Sequence, residues 1–176
     1  MLLRYAGIGS RETPLPYLLI FKGIAKLLAE KGYTLTSGHA PGADCAFERG
    51  CDLADGLKEI FIPSKGFNGC FDGITEILPE AFVIAERFHP NWKACKEYPR
   101  KLMARNSHQV LGRDLNTKVD FIICYTDRGL GKGGTGQALR IAEYYNIPIF
   151  DAGRYSDIKE CQKKLLEFLI KEGKVA

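Results

Sequence analysis

Along this chain, short apolar runs alternate with longer stretches in which apolar residues recur at helical spacing. The runs predict strands over Leu2 to Ile8, 33–37, Lys58 to Ile62 with Pro63 closing it, 119–124, and Ile147 to Phe150. After the first run, Leu18, Leu19, Phe21, Ile24, Ala25, Leu27 and Leu28 trace one helical face, with Pro14 and Pro16 suited to its start and Gly32 to its stop. Further helices are expected over 42–54, over 74–88 with an interruption at Pro79, over 99–111 and 135–145, and as an amphipathic closing helix over 158–172. Strands alternating with helices predict an α/β protein whose sheet is mostly parallel and joined by right-handed crossovers.

The turns after three of these strands are rich in glycine. Gly131-Lys132-Gly133-Gly134-Thr135-Gly136-Gln137 stands between the apolar run 119–124 and a helix. Such a loop leaves backbone N–H groups facing outward at the positive end of a helix dipole, an arrangement that suits a phosphate or carboxylate. Gly7-Ile8-Gly9-Ser10-Arg11-Glu12-Thr13-Pro14 follows the first run and combines close backbone approach, two hydroxyls and a cationic fork. Ser37-Gly38-His39-Ala40-Pro41-Gly42-Ala43-Asp44 follows the second. A single glycine at a strand-to-helix junction often only turns the chain. Three such loops in an open parallel sheet lie on one edge and converge on one crevice, which predicts a phosphate or nucleotide pocket.

Composition narrows the partners. Lys and Arg exceed Asp and Glu by 25 to 21, without a long basic run, which permits anionic ligands and does not demand nucleic acid. Six cysteines form no Cys-x-x-Cys pair, and Cys45, Cys124 and Cys161 fall in apolar or helical context, so they read as reduced core residues rather than metal ligands. His39, His89 and His108 are too dispersed for a metal triad; neither a metal nor another cofactor is expected. The first strand starts at Leu2 and no apolar run is long enough to span a membrane, so the expectation is a cytoplasmic protein. No composition shift marks a linker, and residues 1–176 read as one domain.

Four segments in this order, Gly7-Ile8-Gly9-Ser10-Arg11, Thr36 to Asp44, Met103-Ala104-Arg105-Asn106 and Gly133-Gly134-Thr135-Gly136, resemble the SLOG superfamily. It includes DprA (Smf) recombination mediators, LOG phosphoribohydrolases and YpsA-type nucleotide-sensing proteins. The match is nearest to the YpsA-type branch, common in phage and bacterial genomes. The resemblance implies a Rossmann-like domain of about five strands or more with helices on both faces. It also implies a homo-oligomer, a dimer or higher.

The phosphoribohydrolase branch cleaves the N-glycosidic bond of a nucleoside monophosphate with a helical arginine and a glutamate that follows the double glycine. Arg105 matches the arginine, but the glutamate position falls on Arg140 or on Ala138, depending on which glycine pair is aligned. The group that would steady a developing oxocarbenium ion is absent, and Glu12 or Asp44 would have to replace it. Asp44 serves either as a helix-capping carboxylate or as a ligand contact, and Glu48, one turn on, reads as a surface residue. Arg105 with Asn106, one turn after Lys101, faces the ligand in DprA-type relatives. The candidate catalytic residues are thus Arg105, Glu12 and Asp44. The candidate ligand contacts are Gly7, Gly9, Ser10, Arg11, Ser37, Gly38, His39, Gly42, Ala43, Asp44, Arg105, Asn106, Tyr125, Gly133, Gly134, Thr135, Gly136 and Gln137, with Thr126 and Asp127 beside Tyr125.

Three functions follow in order. The first is binding of a nucleotide or an ADP-ribose-type signal without turnover. The second is N-glycosidic hydrolysis. The third is single-stranded DNA binding of the DprA kind through Arg11, Lys101, Arg105 and Arg113, ranked last because no aromatic and basic stripe accompanies them. Residues 66–91 fit the core pattern least and read as a lid or a subunit contact.

Overall fold

The computed structural model describes residues 3–173. Leu2, the expected start of the first strand, lies outside them. The elements run β1 (Arg4–Gly9), α1 (Leu15–Glu30), β2 (Thr34–Ser37), α2 (Ala43–Asp52), β3 (Lys58–Ile60), α3 (Pro79–Phe88), α4 (Glu97–Leu111), β4 (Phe121–Tyr125), α5 (Gly133–Tyr144), β5 (Ile149–Asp151) and α6 (Ile158–Lys171). The five strands form one sheet in the order β3-β2-β1-β4-β5, and every pairing is parallel. This is the Rossmann-like α/β architecture.

The two central strands, β1 and β4, are apolar on both faces because helices cover both. On one face Tyr5, Phe121, Phe47 and Phe21 join α1, α2 and α6 to the sheet, with Phe21 stacked on Phe47 at 4.4 Å between ring centroids. On the other, Ile8, Ile122, Cys124, Val110 and Ile141 bury α4 and α5. Gly7 belongs to the first layer: a Cβ there would meet the Phe47 ring at 2.4–2.8 Å, so its glycine serves core packing.

Several boundaries move by one or two residues from the sequence expectation, and one helix start moves further. The helix expected from residue 74 begins at Pro79, since proline fits a first helical turn and not an interior. Ile74 instead bridges Phe61 in a strand-like pairing, so residues 61–74 form a closed loop whose Phe67 and Cys70 are buried beside Ile60 and Ile62. The segment 135–145 starts two residues early, at Gly133. Among the described residues, no helix is long and apolar enough to cross a membrane.

Candidate functional site

Strand order fixes where a pocket opens. The chain leaves β1 toward β2 on one side and leaves β4 toward β5 on the other, so the loops after β1 and β4 separate and leave a crevice between them. A cavity of about 540 Å³ lies there. Its walls bring together Gly9, Ser10, Arg11 and Glu12 after β1, Asp44 from α2, Arg105 and Asn106 from α4, Tyr125 at the end of β4, and Gly133, Gly134 and Thr135 of α5.

The wall at α5 is a helix start without a cap. Lys132 occupies the N-cap position and makes no side-chain cap bond, and the first turn holds no acidic residue. The helix ladder begins only with the Gly136 N–H on the Lys132 carbonyl, so the N–H groups of Gly133, Gly134 and Thr135 have no acceptor within the helix. These are the three residues of that turn that line the cavity.

The loop is held from behind by Asp151 at the end of β5. Its buried carboxylate accepts the Thr126 N–H (2.9 Å), the Thr126 hydroxyl and the Gly153 N–H (3.0 Å). Thr126 Oγ1 in turn accepts the Gly131 N–H at 3.0 Å, which sets where the glycine loop leaves the sheet.

Asp44 and Arg105 occupy the opposite wall. Asp44 Oδ1 accepts the Gly9 N–H (3.1 Å) and Oδ2 the Ala40 N–H (3.4 Å), so this carboxylate ties the loop after β1 to the loop after β2. Burial pushes its carboxyl up to about 6, and the nearby Arg105 charge opposes that rise. Arg105 is buried as well, and Nη1 donates to the carbonyls of Gly38 (2.6 Å) and Phe61 (2.9 Å) while Nε donates to Asn106 Oδ1. Burial lowers the Arg105 guanidinium from its ordinary value, with Asp44 acting against that shift. Asn106 Nδ2 spans the gap to α5, donating to the Gly134 carbonyl and to Gln137 Oε1, each at 3.2 Å.

The remaining sequence candidates stand behind the wall. Ser37 Oγ donates to the Gly7 carbonyl, Ala43 meets Gly9, Gly136 is pressed against the Gly131 carbonyl and Gln137 is fully buried. Gly42 adopts φ 86°, which turns the chain into α2, and borders a separate recess. His39 sits at φ 56° with Nδ1 on the Glu48 carboxylate at 2.9 Å. Glu48, expected on the surface, is 7% exposed, because the loop folds back over α2 and covers it. Neither placement of the family's glutamate supplies a carboxylate: Ala138 lines the cavity, and Arg140 donates to the Phe88 carbonyl at 2.7 Å. Gln109, which lines the cavity, and Asp151, which supports it, were not singled out from the sequence; no local motif marks either.

No family model matches the chain, and no curated protein matches it. Among solved structures, it is similar to DNA processing protein A from Helicobacter pylori, described for its single-stranded DNA binding mode. The TM-score is 0.51 at 19% identity, over 94% of this chain and 80% of that one. It also matches the molybdenum cofactor carrier protein from Chlamydomonas reinhardtii, with a TM-score of 0.43 and 14% identity over 97% of this chain and 99% of that one. The first likeness is one of fold, and the chain has the Rossmann-like architecture of that protein's matched region.

Proposed function

We propose that this protein binds a nucleotide or a nucleotide derivative such as an ADP-ribose-type molecule, and that it belongs to the SLOG superfamily near its YpsA-type branch. The observation that carries the reading is the uncapped start of α5 on the wall of a 540 Å³ cavity at the sheet's crevice. Three N–H groups without an acceptor among the described residues and the helix dipole favour a phosphate there, with Lys132 and Arg11 adding positive charge. Tyr125 offers an aromatic wall to a base or ribose. Binding without hydrolysis is favoured because neither placement of the glutamate carries a carboxylate and both oxygens of Asp44 accept loop N–H groups, which leaves Glu12 as the candidate carboxylate still facing the cavity.

A thermal-shift screen with nucleoside monophosphates, ADP-ribose, cyclic ADP-ribose and a short single-stranded oligonucleotide tests this. A rise in melting temperature with one nucleotide class, without release of free base, is the expected outcome. No shift with any nucleotide overturns it, and accumulation of free base replaces binding with hydrolysis.

The fold shared with DNA processing protein A supports a second reading, single-stranded DNA binding. Against it, Arg105 is buried, Lys101 faces Glu97 at 3.8 Å and Arg113 faces Glu59 at 3.6 Å, which leaves Arg11 as the exposed member of the proposed basic set with no ion-pair partner among the described residues. A shift with the oligonucleotide alone, weakening with salt, would favour the second reading.

A further inference from the structure

Behind the pocket wall, the loop after β2 and the first turns of α2 gather an imidazole, a thiol and a carboxylate. The ligand atoms of His39, Cys45 and Glu48 all lie within 4.8 Å of one another. Cys45 and Glu48 are three residues apart on α2 and therefore share a face. His39 reaches them from the other side because its backbone takes the left-handed conformation, φ 56°, which a side chain other than glycine rarely adopts. Its Nδ1 stands 3.0 Å and 2.9 Å from the two Glu48 oxygens.

A hydrogen bond alone accounts for the imidazole and the carboxylate. It leaves Cys45 unexplained, a free thiol without a hydrogen bond among the described residues, held beside both. Asp44 and Glu48 place negative charge near its sulfur, against one positive charge from Arg49. Nitrogen, sulfur and oxygen donors in one partly enclosed cluster are the set that zinc-type cations take, and a thiolate disfavours magnesium or calcium. Thiolate and carboxylate together balance a divalent charge. Cys45 also borders a recess of about 390 Å³ beside Pro41 and Arg49, through which a fourth, solvent ligand has access.

We infer that His39, Cys45 and Glu48 form a three-ligand site for a divalent transition cation of the zinc type. The cation would lock the loop after β2 onto α2. That loop supplies Ala40 to the main cavity, and Ala40 N–H bonds Asp44, so occupancy fixes one wall of the pocket. The inference rests on residues other than those that carry the nucleotide reading, and either stands without the other.

Cobalt(II) is the probe. Tag-free, chelator-treated, reduced protein titrated with cobalt(II) is expected to bind one ion per chain with a thiolate-to-cobalt charge-transfer band in the near ultraviolet, displaced by zinc. Zinc is also expected to raise the melting temperature. Cys45→Ser is expected to abolish the band, and Glu48→Gln to weaken binding by about tenfold or more. His39→Gly keeps the fold testable, because glycine accepts the positive φ, and is expected to lose tight binding. Absence of the band in the parent protein overturns the site. So does a band that survives Cys45→Ser and disappears in Cys95→Ser, which would move the cation to Cys95 and His89, whose sulfur and ring nitrogens lie 3.6–3.7 Å apart.

Discussion

The two loops that flank β1 treat their polar groups in opposite ways. After β4, the segment up to Gly136 is braced from behind by Asp151 and Thr126 and presents free N–H donors to the cavity. After β2, the segment 37–44 spends its polar groups on the protein: Ser37 on Gly7, the Gly38 carbonyl on Arg105, the Ala40 N–H on Asp44 and His39 on Glu48. Both are glycine-rich. Glycine content therefore reports close backbone approach, and only the fate of the N–H groups separates a loop that receives a ligand from one that supports the wall.

Removing the buried cation should give the largest effect on stability. Arg105→Met strips the Gly38 and Phe61 carbonyls of their donor and leaves Asp44 without its compensating charge. A loss of about 3–5 kcal/mol is expected in denaturant unfolding. A loss below about 1 kcal/mol would mean that solvent replaces the guanidinium, and the loop after β2 would then be open to ligands as well.

Asp151→Ala should come next, on the opposite loop. Two backbone N–H groups and the Thr126 hydroxyl lose their acceptor, at a cost of about 2–3 kcal/mol. The distinguishing result is a second one: under the proposed function, the thermal shift with a nucleotide should fall with it, because Thr126 no longer sets Gly131. An unchanged ligand shift in a destabilised protein would show that the glycine loop keeps its shape without that brace.

Much of this architecture is legible from periodicity, and most of the site's internal wiring is not. All five strands and the helices after β1, β2, β4 and β5 follow from apolar spacing with Pro14, Gly32 and Pro63 as punctuation. The start of α3 was missed because Ile74 reads equally well as a helical or a bridging residue until Phe61 is seen beside it. At the site, glycine and hydroxyl clusters located the crevice but did not say which glycines reach it. Gly7 faces Phe47, and Gly136 faces the Gly131 carbonyl. The first contact joins residues forty apart in the chain, and the second depends on how the loop turns at Gly131 and Gly133, where positive φ leaves the path open. Glu48 and Asp151 fall in the same class: whether a carboxylate is buried depends on what the next loop covers it with.

Two glycines of one loop sharpen the contrast at close range. A Cβ at Gly136 would collide with the Gly131 carbonyl, which is backbone and must move, whereas one at Gly134 meets the flexible end of Met103 at 3.2 Å and Asn106 Nδ2 at an ordinary 4.0 Å. Gly136→Ala is expected to cost about 1–3 kcal/mol and to abolish the nucleotide shift. Gly134→Ala is expected to stay within about 1 kcal/mol of the parent and to keep most of it. Equal loss of the nucleotide shift in both variants would place the ligand in direct contact with the Gly134 Cα and not merely with its N–H.

Lys132→Ala should move stability least and still report on the pocket. The side chain is exposed at the N-cap of α5 and makes no cap bond, so the fold should change by no more than about 0.5 kcal/mol. Its charge, beside the three free N–H groups, is expected to contribute roughly two- to fivefold to nucleotide affinity, the equivalent of about 0.5–1 kcal/mol. That contribution is coulombic and exposed, so it should disappear in isothermal titrations at high salt, where the backbone N–H bonds remain. If the variant binds a nucleotide as the parent does at low salt, Lys132 adds nothing to the site, and the glycine loop's share of binding rests on its backbone N–H groups and the helix dipole, with Arg11 of the loop after β1 as the remaining exposed cation on the wall.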